Sequence, residues 1–305
     1  MRLATALIVS STLFAGCEVN LNSEGLSSRD VKNFKISGQP ELVLNTFDGA
    51  IEIHSWDKNE VEVEIEKRAM EQALLDDIKV SADQQGDKIT ITVTGPARGE
   101  RHGMTIGMHV SPTARLRVVV PRNINISATS GDGSIHAEAI DGRIVLNTTD
   151  GSVVGTRLGG DIQIRSGDGS IRLEHTSGKL DLETTDGSIG LVVKPSMLRA
   201  RTGDGSIRAT IEPDAVMTDN WDVSTSDGSV VVTLPGLFNA ELDAETSDGS
   251  VRTNHPLIHD DSRDQDNDGD RESRRERRRA VRSTLGDGGK TFRIRTGDGT
   301  IRIER

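Results

Sequence analysis

Ser130-Gly-Asp-Gly-Ser-Ile135, Thr148-Thr-Asp-Gly-Ser-Val153, Ser166-Gly-Asp-Gly-Ser-Ile171, Thr184-Thr-Asp-Gly-Ser-Ile189 and Thr202-Gly-Asp-Gly-Ser-Ile207 are five copies of one hexapeptide. Their aspartates, Asp132, Asp150, Asp168, Asp186 and Asp204, recur every 18 residues. Later copies carry Asp227, Asp248 and Asp298, and an outlying copy, Asn45-Thr-Phe-Asp-Gly-Ala-Ile51, lies near the N-terminus. Self-similarity at a fixed period marks a solenoid, in which each unit buries its apolar side against its neighbours. Midway between copies lies a weaker turn, at Asp141-Gly142, Gly159-Gly160 and Ser177-Gly178, so each unit divides into two strands of four to six residues.

The turn chemistry points to structure. Asp-Gly suits a tight turn because Gly takes φ > 0 without a Cβ clash. The Asp carboxylate or a Ser/Thr hydroxyl can accept a backbone N–H locally. The pairs Asp132-Gly133, Asp150-Gly151, Asp168-Gly169, Asp186-Gly187, Asp204-Gly205, Asp227-Gly228, Asp248-Gly249 and Asp298-Gly299 are therefore read as structural turns. An 18-residue coil of two strands fits first. Gly-Asp-Gly and Thr-Asp-Gly copies alternate, however, and Arg172 and Arg208 fall two units apart, so a larger coil with two Asp-Gly corners stays open.

Outward from the array, residues 31–120 carry alternating runs such as Val61-Glu-Val-Glu-Ile65 and Ile89-Thr-Ile-Thr-Val93, the period of half-buried strands. Within 67–78, Met70, Ala73, Leu74 and Ile78 have helical spacing and predict one short helix. Residues 257–289 interrupt the repeat: His259 to Asp270 is dominated by Asp, and Arg271 to Arg282 holds seven arginines. The division is then signal peptide 1–16, flexible tether 17–30, N-terminal β region 31–120, repeat solenoid 121–256, charged inserted loop 257–289 and final unit 290–305. The fold class is all-β, a β-solenoid or parallel β-helix-like array.

The composition agrees with thin repeats. Of 305 residues, 33% are hydrophobic and 2% aromatic, with no Tyr, too few large side chains for a compact globule of this size. A net charge of −11 gives no basic footprint for nucleic acid. Met1-Arg2, an apolar stretch from Leu3 to Phe14 and then Ala15-Gly16-Cys17 read as a secretory signal too short to span a bilayer. Phe14-Ala-Gly-Cys17 resembles a bacterial lipobox, with Phe in place of the usual Leu. The resemblance implies cleavage before Cys17 and lipidation of its thiol. It also implies a membrane partner through that lipid, and Glu18 rather than Asp favours the outer membrane. The expectation is an exported protein, lipid-anchored to the cell envelope, meeting an envelope or surface partner.

The stretch from Leu44 to Ile65, with Phe47-Asp-Gly-Ala-Ile51 and Val61-Glu-Val-Glu-Ile65, followed by serial T-[SGT]-D-G-[ST]-[IV] units, resembles the DUF4097 family of bacterial envelope proteins, often labelled adhesins. The resemblance runs from about residue 32 to the end. It implies a β-solenoid-like fold and carries no agreed catalytic motif.

Candidate chemistry is sparse. Stacked coils would set the repeated aspartates in a column about 4.8 Å apart, but the glycine-rich calcium-binding nonapeptide is absent. Asp264, Asp266, Asp268 and Asp270 resemble the start of a calcium loop, yet Arg275 stands where a bidentate Glu is needed, so a solvated acidic run is the better reading. The seven histidines (54, 102, 109, 136, 175, 255, 259) show no metal spacing. No nucleophile elbow, P-loop or dinucleotide fingerprint occurs, and no cofactor is called for. The function expected is non-enzymatic presentation of a repetitive β surface for interaction or adhesion. The alternative is a carbohydrate-active enzyme, or a calcium- or polysaccharide-binding protein, on a β-helix scaffold; against an enzyme stands the scarcity of aromatic platforms for sugars, only Trp56, Trp221 and five Phe.

Overall fold

The computed structural model describes residues 18–22, 25–96, 111–256 and 279–305. Strands dominate, and they form two ladders whose apolar faces meet in one core. The coil is 18 residues long. Ile126 sits beside Ile144, Ile144 beside Ile162, Ile162 beside Leu180 and Leu180 beside Leu198, all in parallel register. The partner ladder steps identically through Ile135, Val153, Ile171, Ile189 and Ile207. The larger coil is thereby excluded. Inward residues are almost wholly Ile, Leu, Val and Ala, because two facing sheets so close leave room for little else.

The two corners differ. At the weaker turn, Ala139, Arg157 and His175 adopt left-handed backbone at φ of 59, 54 and 50°, and Gly142, Gly160 and Gly178 follow at 149, 109 and 108°. There glycine answers a demand on φ. In two coils the strand runs on through this corner, giving the 14-residue strands Ile171–Thr184 and Ile189–Thr202, with register shifts where they bend.

Chain order and spatial order part company at both ends. The outlying N-terminal copy, strands Glu41–Thr46 and Ile51–Trp56, is inserted in the stack: it pairs with Lys88–Thr94 and Thr113–Pro121 on one side and with Asn125–Ser130 and Ile135–Glu138 on the other. The last unit does the same. Thr291–Thr296 lies between Trp221–Thr225 and Ala240–Thr246, and Ile301–Glu304 lies between Val230–Thr233 and Val251–Thr253. The final copy is thus an internal coil. It brings Phe292 against Trp221, edge to face at 5.3 Å, with Phe238 at 5.4 Å on the same indole.

Antiparallel strands extend the stack at both ends. Gly25–Lys35 pairs with Glu60–Ala69, which pairs with Thr113–Pro121, and Lys79–Gln85 pairs with Lys88–Thr94. Ala280–Leu285 pairs with Ala240–Thr246. Three boundaries therefore move. Within the expected tether 17–30, Glu18–Asn22 and Gly25–Lys35 are strands, because an edge strand needs backbone pairing more than an apolar face. Within 257–289, Ala280–Leu285 is a strand, and Arg279 and Arg282 reach Asp248 and Asp243 of the array at 3.4 and 3.3 Å. The helix shrinks to Gln72–Asp77, because strand pairing takes Lys67 to Ala69; it buries Leu75, while Met70 and Ala73 face solvent.

The intercalated last unit gives a test. In a Trp56→Phe background, so that Trp221 alone reports, Phe292→Ala should cost about 3–5 kcal/mol and shift the Trp221 emission to the red. A loss below about 1 kcal/mol with unchanged emission would place that unit at the frayed end of the array.

Candidate functional site

The Asp-Gly corner is the most regular surface of the molecule, and its chemistry departs from the turn chemistry expected. Among the described residues Gly133, Gly151, Gly169, Gly187, Gly205, Gly228, Gly249 and Gly299 do not adopt left-handed backbone. They are required for another reason. A Cβ on Gly169 would stand 2.0 Å from the Gly151 carbonyl oxygen, and one on Gly187 2.1 Å from that of Gly169. Successive coils touch backbone to backbone here.

The residue two places before each Asp does the hydrogen bonding. Ser166 Oγ accepts the Gly169 N–H at 3.1 Å and donates to the Gly151 carbonyl at 3.0 Å, so one buried hydroxyl closes its own turn and fastens it to the coil beside it. Thr148 and Thr225 repeat the arrangement. Apart from His255 and Thr176, all fully buried polar residues among those described are these corner hydroxyls: Thr46, Ser130, Thr148, Ser166, Thr184, Thr202, Thr225, Thr246 and Thr296. The aspartates Asp132, Asp150, Asp168, Asp186, Asp204, Asp227, Asp248 and Asp298 are exposed. Their carboxylates take no turn amide among the described hydrogen bonds. Asp48, in the inserted N-terminal copy, differs: burial first, then the neighbouring Asp132 carboxylate, raise its pKa, against the Gly49 amide that lowers it.

The residue just before each Asp explains the alternation of Gly and Thr. In spatial order these positions are Phe47, Gly131, Thr149, Gly167, Thr185, Gly203, Ser226, Gly297 and Ser247. A Cβ on Gly167 would meet the Thr149 carbonyl oxygen at 2.3 Å, and its N–H donates to that oxygen at 2.7 Å. Every second coil is so pressed against its neighbour that only Gly fits. In chain order Ser226, Ser247 and Gly297 break the alternation, and in space the intercalated last unit restores it.

Beside this corner, the outward face of the second ladder forms a groove of about 370 Å³ floored by Gly190, with Arg172 and Arg208 at the matching positions of the coils on either side. Above Gly190 a Cβ would meet nothing within 4 Å. Ser188 Oγ accepts the Ser206 N–H and Ser206 Oγ accepts the Ser229 N–H, both at 3.3 Å, so the hydroxyl protons of Ser188 and Ser206 can be turned outward. Arg172 lies 3.7 Å from Glu174, whereas Arg208 has Thr210 at the equivalent place. Arg172, Arg208, the serine hydroxyls and Thr210 share the groove with the outward side chains of Val192 and Val231 and the Glu174 carboxylate.

A family profile matches residues 27–304 of a chain built in this way. The chain belongs to the Toastrack DUF4097 family. Solved structures similar to this Toastrack chain include an adhesin candidate from Bacteroides fragilis, 10% identical, covering 90% of this chain and 96% of that one at a TM-score of 0.47. An adhesin candidate from Parabacteroides merdae is 11% identical, covering 90% and 95% at a TM-score of 0.42. A candidate lipid-binding protein from Parabacteroides distasonis is 12% identical, covering 90% and 96% at 0.40. No curated protein matches the sequence significantly.

Of the other residues singled out from the sequence, Cys17 and the acidic group Asp264, Asp266, Asp268 and Asp270 lie outside the described residues. Trp221 is buried and offers no platform to a sugar, and Lys58 covers the Trp56 ring at 4.1 Å. Sequence reasoning missed the Toastrack corner's buried hydroxyls as a set, although Ser or Thr two places before every Asp was the available signal.

The corner predicts an order of damage. Gly169→Val should lower the melting temperature far more than Asp168→Asn, because its Cβ meets a carbonyl whereas Asp168 faces solvent. A substitution of that kind costs at least about 1–3 kcal/mol, as overpacking does. Melts in calcium and in chelator complete the test. Equal damage from the two variants, seen only with calcium, would make the aspartates ligands.

Proposed function

We propose that this Toastrack protein is a non-enzymatic, lipid-anchored envelope protein. Its second ladder holds an extended acidic, oxygen-rich polymer along the outward face. The observation that carries the reading is the groove over Gly190 with an arginine on either side. Two guanidinium groups stand two coils apart, about 9.6 Å along the ladder, and serine hydroxyls lie between them. Beyond Val231, Arg302 and Arg252 continue the same outward row toward the C-terminal end of the stack. Guanidinium and hydroxyl donors recognise carboxylate, sulfate or phosphate oxygens. An open face repeating at fixed intervals suits a polymer better than a small molecule.

The enzyme alternative needs a general acid kept protonated by burial, paired with a second carboxylate. Among the described residues only Asp48, beside Asp132, is a carboxyl with its pKa raised by burial, and it lies in the inserted N-terminal copy and not in the groove. The anchor rests on Phe14-Ala-Gly-Cys17, which would tether the array by its N-terminal end and leave the groove free to face its partner.

Binding to polygalacturonate, with dextran as neutral control, tests the groove. Arg172→Ala with Arg208→Ala should weaken binding at least about tenfold, which is 1.4 kcal/mol, and added salt should weaken the wild type. Undiminished binding by the double variant contradicts the groove, and release of shortened chains contradicts the non-enzymatic reading. Cell fractionation tests the anchor separately. Cys17→Ser should leave membranes as a soluble or unprocessed species, and a processed variant still in the membrane fraction would overturn lipidation.

A further inference from the structure

The intercalation of the N-terminal copy brings together side chains far apart in the chain. His54 lies on the strand Ile51–Trp56, and His136 and Glu138 lie on Ile135–Glu138. The two strands pair in parallel, so that His54 sits beside Glu138 and Glu52 beside His136. All three side chains point outward. His54 Nδ1 lies 3.0 Å from a Glu138 carboxylate oxygen, and the two imidazole rings are 5.6 Å apart between centroids, tilted by 47°. One ligand atom from each of the three residues can be chosen so that all lie within 4.8 Å of one another.

The geometry points to a binding site for a divalent transition metal, zinc by preference, held by His54, His136 and Glu138. Two imidazoles and one carboxylate are the donors zinc takes at about 2.0–2.2 Å, usually in tetrahedral arrangement with a fourth position for water or a partner's donor. Drawing three atoms from their present spacing onto one ion needs only small rotations of side chains at the surface. The supporting contacts are in place: Arg157 pairs with the other Glu138 oxygen, which orients the carboxylate toward His54. Glu52 beside His136 is held by Arg117 at 3.4 Å, so it stays on its own side of the cluster. Calcium, which takes oxygen ligands and more of them, suits the set poorly. The consequence is mechanical as well as chemical. The ion would clamp the inserted N-terminal copy to the first coil of the regular array.

His175 provides an internal control. It too pairs with a carboxylate, Glu212, at 2.8 Å, but no second imidazole joins that pair among the described residues.

The experiment uses tag-free, metal-stripped full chain in a Cys17→Ser background, which removes the sole thiol. Zinc chloride is titrated calorimetrically, and melting is followed with and without zinc. One zinc per chain should bind, undisturbed by millimolar calcium, and raise the melting temperature. His54→Ala and His136→Ala should each weaken binding at least about tenfold, the lower end of what losing even an outer partner costs a metal site, and abolish the thermal shift. His136→Gln, which keeps a polar side chain of similar reach, should do likewise while melting normally without metal. His175→Ala should bind as the parent does. Zinc binding that survives both His54→Ala and His136→Ala overturns the assignment, as does the absence of a zinc-dependent shift in the parent.

Discussion

Everything regular in this molecule depends on one interaction, the buried hydroxyl at the Asp-Gly corner that accepts a turn amide and donates to a glycine carbonyl in the adjacent coil. A parallel ladder hydrogen-bonds its strands evenly, but each corner leaves amides and carbonyls turned away from any strand partner. Left unpaired in so narrow an interior, each would cost about 1–3 kcal/mol. Ser130, Thr148, Ser166, Thr202, Thr225 and Thr296 each satisfy one donor and one acceptor with a single hydroxyl, while Thr184 and Thr246 donate to the adjacent coil. That is possible only if neighbouring corners touch, which in turn demands Gly on both sides of every second Asp.

The same contact governs assembly order. A coil with Gly before its Asp must sit between coils with a bulkier residue there, and the intercalated last unit obeys the rule, with Gly297 between Ser226 and Ser247. Chain order would have set two Ser corners side by side. The aromatic group of Trp221, Phe292 and Phe238 reinforces the choice, because Phe292 fills the space beside the indole that no other coil supplies. Antiparallel strands then cover both ladders at the N-terminal end and the first ladder at the C-terminal end, one answer to the hazard of unpaired strands. At one of them Asp243 gathers Arg295 and Arg282. Burial acts to raise its pKa, but the two guanidinium hydrogen bonds prevail and hold it below the ordinary carboxylate value.

Much of this was legible in the residues. The 18-residue period, the half-period turn and the alternation of inward Ile or Leu with outward charge follow from spacing alone, and the structure carries all three. What was not legible depended on contacts between coils. Glycine after Asp suggested a left-handed backbone, which is right for Gly142 and Gly49, and wrong for Gly169 and its column. The local sequence is silent on how near the next coil lies. The alternation at residue 149 and its equivalents suggested a larger coil, whereas it records the stacking of ordinary ones. The cluster of His54, His136 and Glu138 was hidden for the same reason, since no local spacing announces ligands that meet only through an inserted strand.

The corner account is tested most directly by deleting one buried hydroxyl at constant shape. Thr148 Oγ1 accepts the Gly151 N–H at 3.1 Å and lies 2.9 and 3.0 Å from the Gly131 and Gly133 carbonyl oxygens, and the residue is buried. The unfolding free energy of Thr148→Val should fall by about 1–3 kcal/mol. Thr148→Ser, which keeps the hydroxyl, should lose less, and Thr90→Val, on an outward strand position, should be close to neutral. A Thr148→Val protein as stable as the Thr90→Val protein would show that the hydroxyl column is incidental and that apolar burial alone holds the coils together.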